Sequence, residues 1–233
     1  MIVGSAWTVL RRRVARPLLH RLRRPYVLRR TARAAEIRLL GYRFRTHPDV
    51  FHPVYFSSSR VLAQCVLAQS VRGLRVLDMG TGAGPIAVTA AAAGARVTAC
   101  DLNPRAVALA RENSVLNGLD NEILESDLFA ELTDRHFDLI CFNLPFYAKE
   151  PTTPLEAAFN AGCDLETVRR FARGCAGHLG EGGRVVVLFS EDCDEERILG
   201  AFTERGLSLE SHQVTRRLLE DFHVVCFRSH ERE

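Results

Sequence analysis

The sequence predicts an α/β fold: a seven-stranded, mostly parallel sheet with helices on both faces, an antiparallel last strand and an N-terminal helical cap. Three observations carry this expectation. From residue 70 onward, short apolar runs alternate with helical segments across short loops, the pattern of strand–helix–strand units. The first run ends in a glycine-rich stretch, "DMGTGAG", that leads into an alanine-rich segment. The last two apolar runs have no helix between them, so they must pair as a hairpin.

The elements follow in order. "LRVLDM" (74–79) is the first core strand, and the alanine-rich stretch from about 85 to 93 is a helix. "ARVTACD" (95–101) is the second strand. In "NPRAVALARENSVLNG" Asn103 suits the N-cap, Pro104 the first helical position and Gly118 the stop. "NEILESD" (121–127) and "FDLICFN" (137–143) are the third and fourth strands. A helix near 163–178 leads into "GGRVVVLFS" (182–190), and "DEERILGAFTERG" is the next helix. "LSLESHQVT" and "DFHVVCFRS" close the sheet. The chain divides into a basic helical cap (1–45), a covering segment with the first core helix (46–69) and the α/β core (70–233).

Composition narrows the classes of function. With 233 residues, 47% of them apolar, one sizeable core is expected. No apolar run reaches the roughly 18 to 20 residues of a membrane span. At the start, apolar residues precede the basic cluster, the reverse of a secretory signal. The seven cysteines are scattered without a CxxC pair, which predicts reduced thiols, a cytoplasmic protein and no zinc site of ligand spacing. The net charge of +3 hides an asymmetry: residues 1–45 carry thirteen arginines against Glu36 alone, about +12, which leaves about −9 for the rest. Such an arm suits RNA or another polyanion, or equally a cap whose arginines are solvated or pair with the acidic core. Val9, Leu10, Val14, Leu18 and Leu22 fall at roughly helical spacing, which favours a packed helix interrupted by Pro17 and Pro25. The oligomeric state is not encoded in any of these features.

In open α/β sheets the ligand sits beyond the carboxyl ends of the strands. Asp78, Gly80, Asp101, Asp127 and Asn143 all fall there. The loop holding Gly80, Thr81, Gly82 and Gly84 is spaced G-x-G-x-G. The third glycine of a dinucleotide fingerprint would fall on Pro85, and no Gly-Lys-Ser/Thr follows for a phosphate loop. A carboxylate at Asp78 suits a cationic or amine-bearing ligand. Asp101, followed by Leu102, suits the hydroxyls of a ribose.

This combination resembles the Rossmann-like class of S-adenosylmethionine-dependent methyltransferases over about residues 70–228. The resemblance implies that "VLDMGTGAGPIAV" lines the methionine and adenosyl groups, that Asp101 holds the ribose, and that Asp127 contacts the adenine amino group with Leu128 beside it. "FDLICFNLPF" resembles the subset whose fourth strand ends in Asn-Pro-Pro-Tyr, the protein-glutamine and small-RNA N-methyltransferases. By that resemblance Asn143 and the Leu144 carbonyl accept hydrogen bonds from a planar nitrogen, Pro145 shapes the turn and Phe146 stacks on the acceptor. Leu144 replaces the usual proline, and Phe146 lacks the tyrosine hydroxyl. The segment "THPDVFHPVYFSSSR" (46–60) resembles the covering segment of these families, with Asp49, Phe51, His52 and Tyr55 as pocket candidates and Tyr147 a further one. The alternative for this segment is a linker in which Ser58 or Ser59 caps the next helix.

The leading expectation is therefore an N-methyltransferase acting on an amino or amide nitrogen, with a small molecule as acceptor and S-adenosylmethionine as cofactor. One alternative is an S-adenosylmethionine-consuming cyclase of the azetidine-2-carboxylate synthase type, in which the cofactor is its own substrate and methylthioadenosine is released. Another is an RNA- or protein-directed methyltransferase that uses the basic N-terminus. A third is a non-enzymatic RNA-binding or partner-activating protein that kept the fold.

Overall fold

The computed structural model describes residues 29, 31–53, 57–217 and 220–229. Seven strands form one sheet: β3 (Arg75–Met79), β4 (Arg96–Asp101), β5 (Glu122–Glu125), β6 (Phe137–Asn143), β7 (Leu179–Ser190), β8 (Leu207–Thr215) and β9 (Phe222–Ser229). Their spatial order is β5-β4-β3-β6-β7-β9-β8. The first five are parallel, and β9 runs antiparallel to both β7 and β8. This is the expected arrangement. The strand order reverses between β3 and β6, so their carboxyl ends open the crevice where an α/β sheet takes its ligand.

Helices cover both faces. On one lie α1 (Ser58–Leu67), α2 (Pro85–Ala92) and α3 (Pro104–Leu116), with Val61, Ile86 and Val107 packed on Val76, Ala99 and Cys141. On the other lie α4 (Glu166–His178) and α5 (Glu195–Thr203), with Phe171 and Phe202 against Ile140, Val187 and Phe227. Strands β3, β6 and β7 are apolar on both sides because each side meets a helix layer. α3 begins as its sequence dictates: the Asn103 side chain accepts from the Arg105 N–H, and Pro104 occupies the first turn.

The N-terminal region departs from expectation. Residues predicted as the end of a helical cap form a hairpin, β1 (Glu36–Leu39) and β2 (Tyr42–Arg45). Ile37 and Leu39 on β1 and Tyr42 and Phe44 on β2 face inward, with Leu39 and Phe44 on Val88, a period of two rather than 3.6. Two asparagines four residues apart, Asn113 in α3 and Asn117 at its C-cap, dock this hairpin. Asn117 exchanges hydrogen bonds with the backbone N–H and C=O of Arg43 (3.0 and 2.7 Å), and Asn113 does the same for Arg45 (2.7 and 3.0 Å). A carboxamide carries one donor side and one acceptor side, so each serves as a peptide group on an added strand. Asn113 also donates to the Ala83 carbonyl at 2.8 Å, which ties the hairpin to the glycine loop. The predicted helix within residues 1–28 lies outside the described residues.

Candidate active site

At the carboxyl ends of β3, β4, β5 and β6 a cavity of about 300 Å³ opens. Its floor and walls are the β3–α2 loop (Gly80, Thr81, Gly82), Asp101 and Leu102 after β4, Asp127 and Leu128 after β5, and Phe142, Asn143 and Pro145 at the end of β6. The covering segment contributes Asp49, Val50, Phe51 and Pro53, and the loop after β6 contributes Pro151, Pro154 and Leu155. A broader hollow of about 670 Å³ lies at the opposite ends of the strands. Among its lining residues Arg75 pairs with Asp138 and Arg135 with Glu122.

The glycine loop depends on two contacts. Gly80 has φ +63°, and a Cβ there would sit 2.5 Å from Cε2 of Phe142. Gly84 caps α2 at φ +85°, and a Cβ there would meet Ala110 at 3.4 Å. Only glycine meets both the dihedral and the space at position 80.

The two aspartates at the loop have different tasks. Asp101 borders the cavity: one carboxylate oxygen accepts from the Gly82 N–H (2.8 Å) and the other from the Asn103 N–H (2.9 Å). Burial raises its pKa, and the hydrogen bonds from Asn103 and Gly82 pull the other way. Each oxygen keeps a lone pair for a hydroxyl donor. Asp78 does not line the cavity, contrary to the expectation that it faces a cationic ligand. It is fully buried beneath the loop, where its Oδ2 accepts from the Thr81 hydroxyl (2.7 Å) and the Ala87 N–H (3.0 Å). Desolvation pushes its pKa up to about 7 against those two hydrogen bonds, and its Oδ1 has no hydrogen-bond partner.

At the end of β6 the motif divides. Asn143 lines the cavity, and its Nδ2 donates to the Ser58 hydroxyl at 3.1 Å while Oδ1 is buried without a partner. Pro145 borders the cavity as well. Leu144 does not; at 1% exposure it belongs to the core, with its N–H on the Leu188 carbonyl (2.9 Å). Phe146 also stays off the cavity wall, contrary to its predicted stacking role. The N–H groups of Phe146 and Tyr147 both donate to the Phe159 carbonyl (3.0 Å each), which fixes the turn so that the Phe146 ring packs on the core and on Tyr147. Among the described residues, the aromatic side chain that the covering segment brings to the cavity is Phe51, tilted against Phe159 at 5.2 Å.

His52 and Tyr147 are not on the cavity wall. His52 is 4% exposed, and burial lowers its pKa and keeps the ring neutral. Tyr147 is 39% exposed. Tyr55 lies outside the described residues. Two of the residues that escaped the sequence reading make specific polar contacts at the site. Arg170 of α4 lines the cavity and pairs with Asp127 at 2.8 Å, a contact across 43 residues with no local signal. Ser58, considered only as a helix cap, makes no such cap and holds Asn143 instead.

The seven-stranded order, the glycine loop at the crevice and the carboxylate at the end of β4 together define an S-adenosylmethionine-dependent methyltransferase. The chain belongs to the methyltransferase small domain family, whose model matches residues 41–210. A Methanocaldococcus jannaschii protein named as a protein N5-glutamine methyltransferase is 32% identical over 180 residues, 75% of this chain and 89% of its own length. Ribosomal RNA small subunit methyltransferase C of Salmonella choleraesuis is 31% identical over 156 residues, 66% of this chain and 42% of its own. A Thermus thermophilus 16S rRNA N2 methyltransferase, solved with AdoMet and guanosine, shares the fold at a TM-score of 0.64 and 24% identity, over 85% of this chain and 50% of that one. The chain thus spans about half the length of the two rRNA enzymes. Among the described residues no helix is long and apolar enough to cross a membrane.

Proposed function

We propose that this enzyme transfers the methyl group of S-adenosylmethionine to a planar amide or amino nitrogen. The observation that carries this reading is the Asn143 carboxamide. Its Nδ2 is occupied by Ser58, and its Oδ1 is a buried acceptor with no donor, at the wall of the cavity. A buried acceptor left unmet costs about 1–3 kcal/mol, which an incoming N–H offsets.

The cofactor supplies an electrophilic methyl, and this chain supplies position. Gly80, Thr81 and Gly82 allow close approach of the methionine and adenosyl portions. The free lone pairs of Asp101 receive the ribose hydroxyls. Asp127 and Leu128 border the adenine. Asn143 Oδ1 accepts from the nitrogen that is to be methylated and turns its lone pair toward the methyl group, and charge growing on that nitrogen strengthens the bond. Phe51, Pro53 and Pro145 shield the site from water. The wall is largely apolar and selects a flat nitrogen-bearing group rather than the body that carries it. The names of the relatives support this class, since a glutamine amide and a guanine N2 are both planar nitrogens.

The test uses methyl-labelled S-adenosylmethionine with three acceptor sets in parallel: glutamine-containing peptides, ribosomal RNA and small amines or amides. Label on nitrogen, with S-adenosylhomocysteine released in equal amount, is the expected result. Methylthioadenosine formed from the cofactor alone would overturn it in favour of cyclisation.

A further inference from the structure

Away from the cavity, three side chains from three elements converge. Glu195 opens α5, His212 lies on β8 and His223 on β9. In the β8–β9 register His212 faces Val225 and Val214 faces His223, so the two histidines are diagonal neighbours on one face. His212 Nε2 is 3.0 Å from His223 Nδ1, Glu195 Oε2 is 3.3 Å from the same Nδ1, and Glu195 Oε1 is 3.7 Å from His212 Nδ1. One donor atom from each residue lies within 4.8 Å of the other two.

We propose that Glu195, His212 and His223 form a binding site for a zinc-class divalent transition metal. Tetrahedral bonds of about 2.0–2.1 Å place neighbouring donor atoms roughly 3.3 Å apart. One donor atom from each residue already lies within 4.8 Å of the other two, so rotation of the rings and the carboxylate closes the set on an ion. Two imidazoles and one carboxylate are a donor set suited to zinc, with solvent at the fourth position. The His223 ring is pre-oriented by stacking on Phe189 at 5.2 Å and 28°. Two further carboxylates, Glu191 and Asp221, are close enough to act electrostatically on His223 and reduce the cost of bringing a dication there. Bound metal joins the edge strand β8 to β9 and α5. No linear ligand spacing reveals the site, because 28 residues separate Glu195 from His223.

The test is calorimetric titration of the chelator-stripped full chain with ZnCl2, with Co2+ as an optical probe of tetrahedral coordination and thermal melting in parallel. One ion per chain is expected, weakened about 10-fold or more by His212→Ala and by Glu195→Gln, with a zinc-dependent rise in Tm that both variants lose and Mg2+ does not produce. His212 is exposed, so its variant folds; S-adenosylmethionine binding checks this. Absence of saturable binding at one ion per chain overturns the proposal. So does binding that persists unchanged in His212→Ala and His223→Ala, since the ion then sits on other thiols or imidazoles.

Discussion

The hydroxyl of Ser58 holds the amide nitrogen of Asn143 at 3.1 Å, and the amide oxygen is left buried without a partner at the cavity wall. The pairing joins the start of α1 to the end of β6, 85 residues apart in the chain. Asn143→Ala should lower kcat at least about 100-fold, comparable to removing a donor from an oxyanion hole, with little change in S-adenosylmethionine affinity. Ser58→Ala leaves the acceptor present but unguided and should cost up to about 10-fold in kcat, the worth of one hydrogen bond. Steady-state kinetics beside cofactor binding separates the two effects. Full activity in Asn143→Ala would remove the mechanism.

Asp101 engages the loop and α3 through backbone N–H groups and keeps a free lone pair on each oxygen. Asp101→Ala should weaken S-adenosylmethionine binding by about 1.5–3 kcal/mol through lost charge-assisted hydrogen bonds. An unchanged dissociation constant by calorimetry would refute the ribose assignment.

Gly80 and Gly82 share positive φ but differ in surroundings, since nothing lies within 4 Å of a Cβ at Gly82. Gly82→Ala should therefore cost only the left-handed penalty, about 1–2 kcal/mol. Gly80→Ala should cost a further 1–3 kcal/mol or so, because the added methyl meets the Phe142 ring. Denaturant unfolding of the cofactor-free variants measures the difference. Equal losses would mean that the ring yields freely.

Asp78 sets a pH dependence. Its carboxyl titrates near 3.8 ordinarily and near 7 in the fold, so the unfolded chain releases the proton first. Its burial therefore leaves stability intact below about pH 4 and erodes it as pH rises to 7, by up to about 4 kcal/mol. Asp78→Asn should flatten the stability profile between pH 4 and 7. Parallel profiles for wild type and variant would contradict this.

Much of the molecule was readable from its residues. "FDLICFN" is β6 residue for residue, because an apolar run bounded by turn chemistry leaves few alternatives, and "LSLESHQVT" is β8, placed by the absence of a helix before the next run. The carboxyl-end rule placed Gly80, Asp101, Asp127 and Asn143 at one cavity. The aim of individual side chains was not readable. Phe146 turns away because one distant carbonyl, that of Phe159, captures two consecutive N–H groups. Asp78 turns under the loop because Ala87 and Thr81 offer it hydrogen bonds. Arg170 reaches Asp127 from another element altogether. The hairpin at 36–45 was hidden by its arginines, whose charges mask the alternation of Leu39 and Phe44.

Asn113 also imposes an order of events during synthesis. The hairpin strand β2 is made early, yet the amide that completes its hydrogen bonding arrives 68 residues later. Until the ribosome has passed α3, Arg45 has no carboxamide to dock on and Ala83 has none to tether it. The hairpin strand thus waits for Asn113 before it can dock, and the glycine loop gains that tether in the same step.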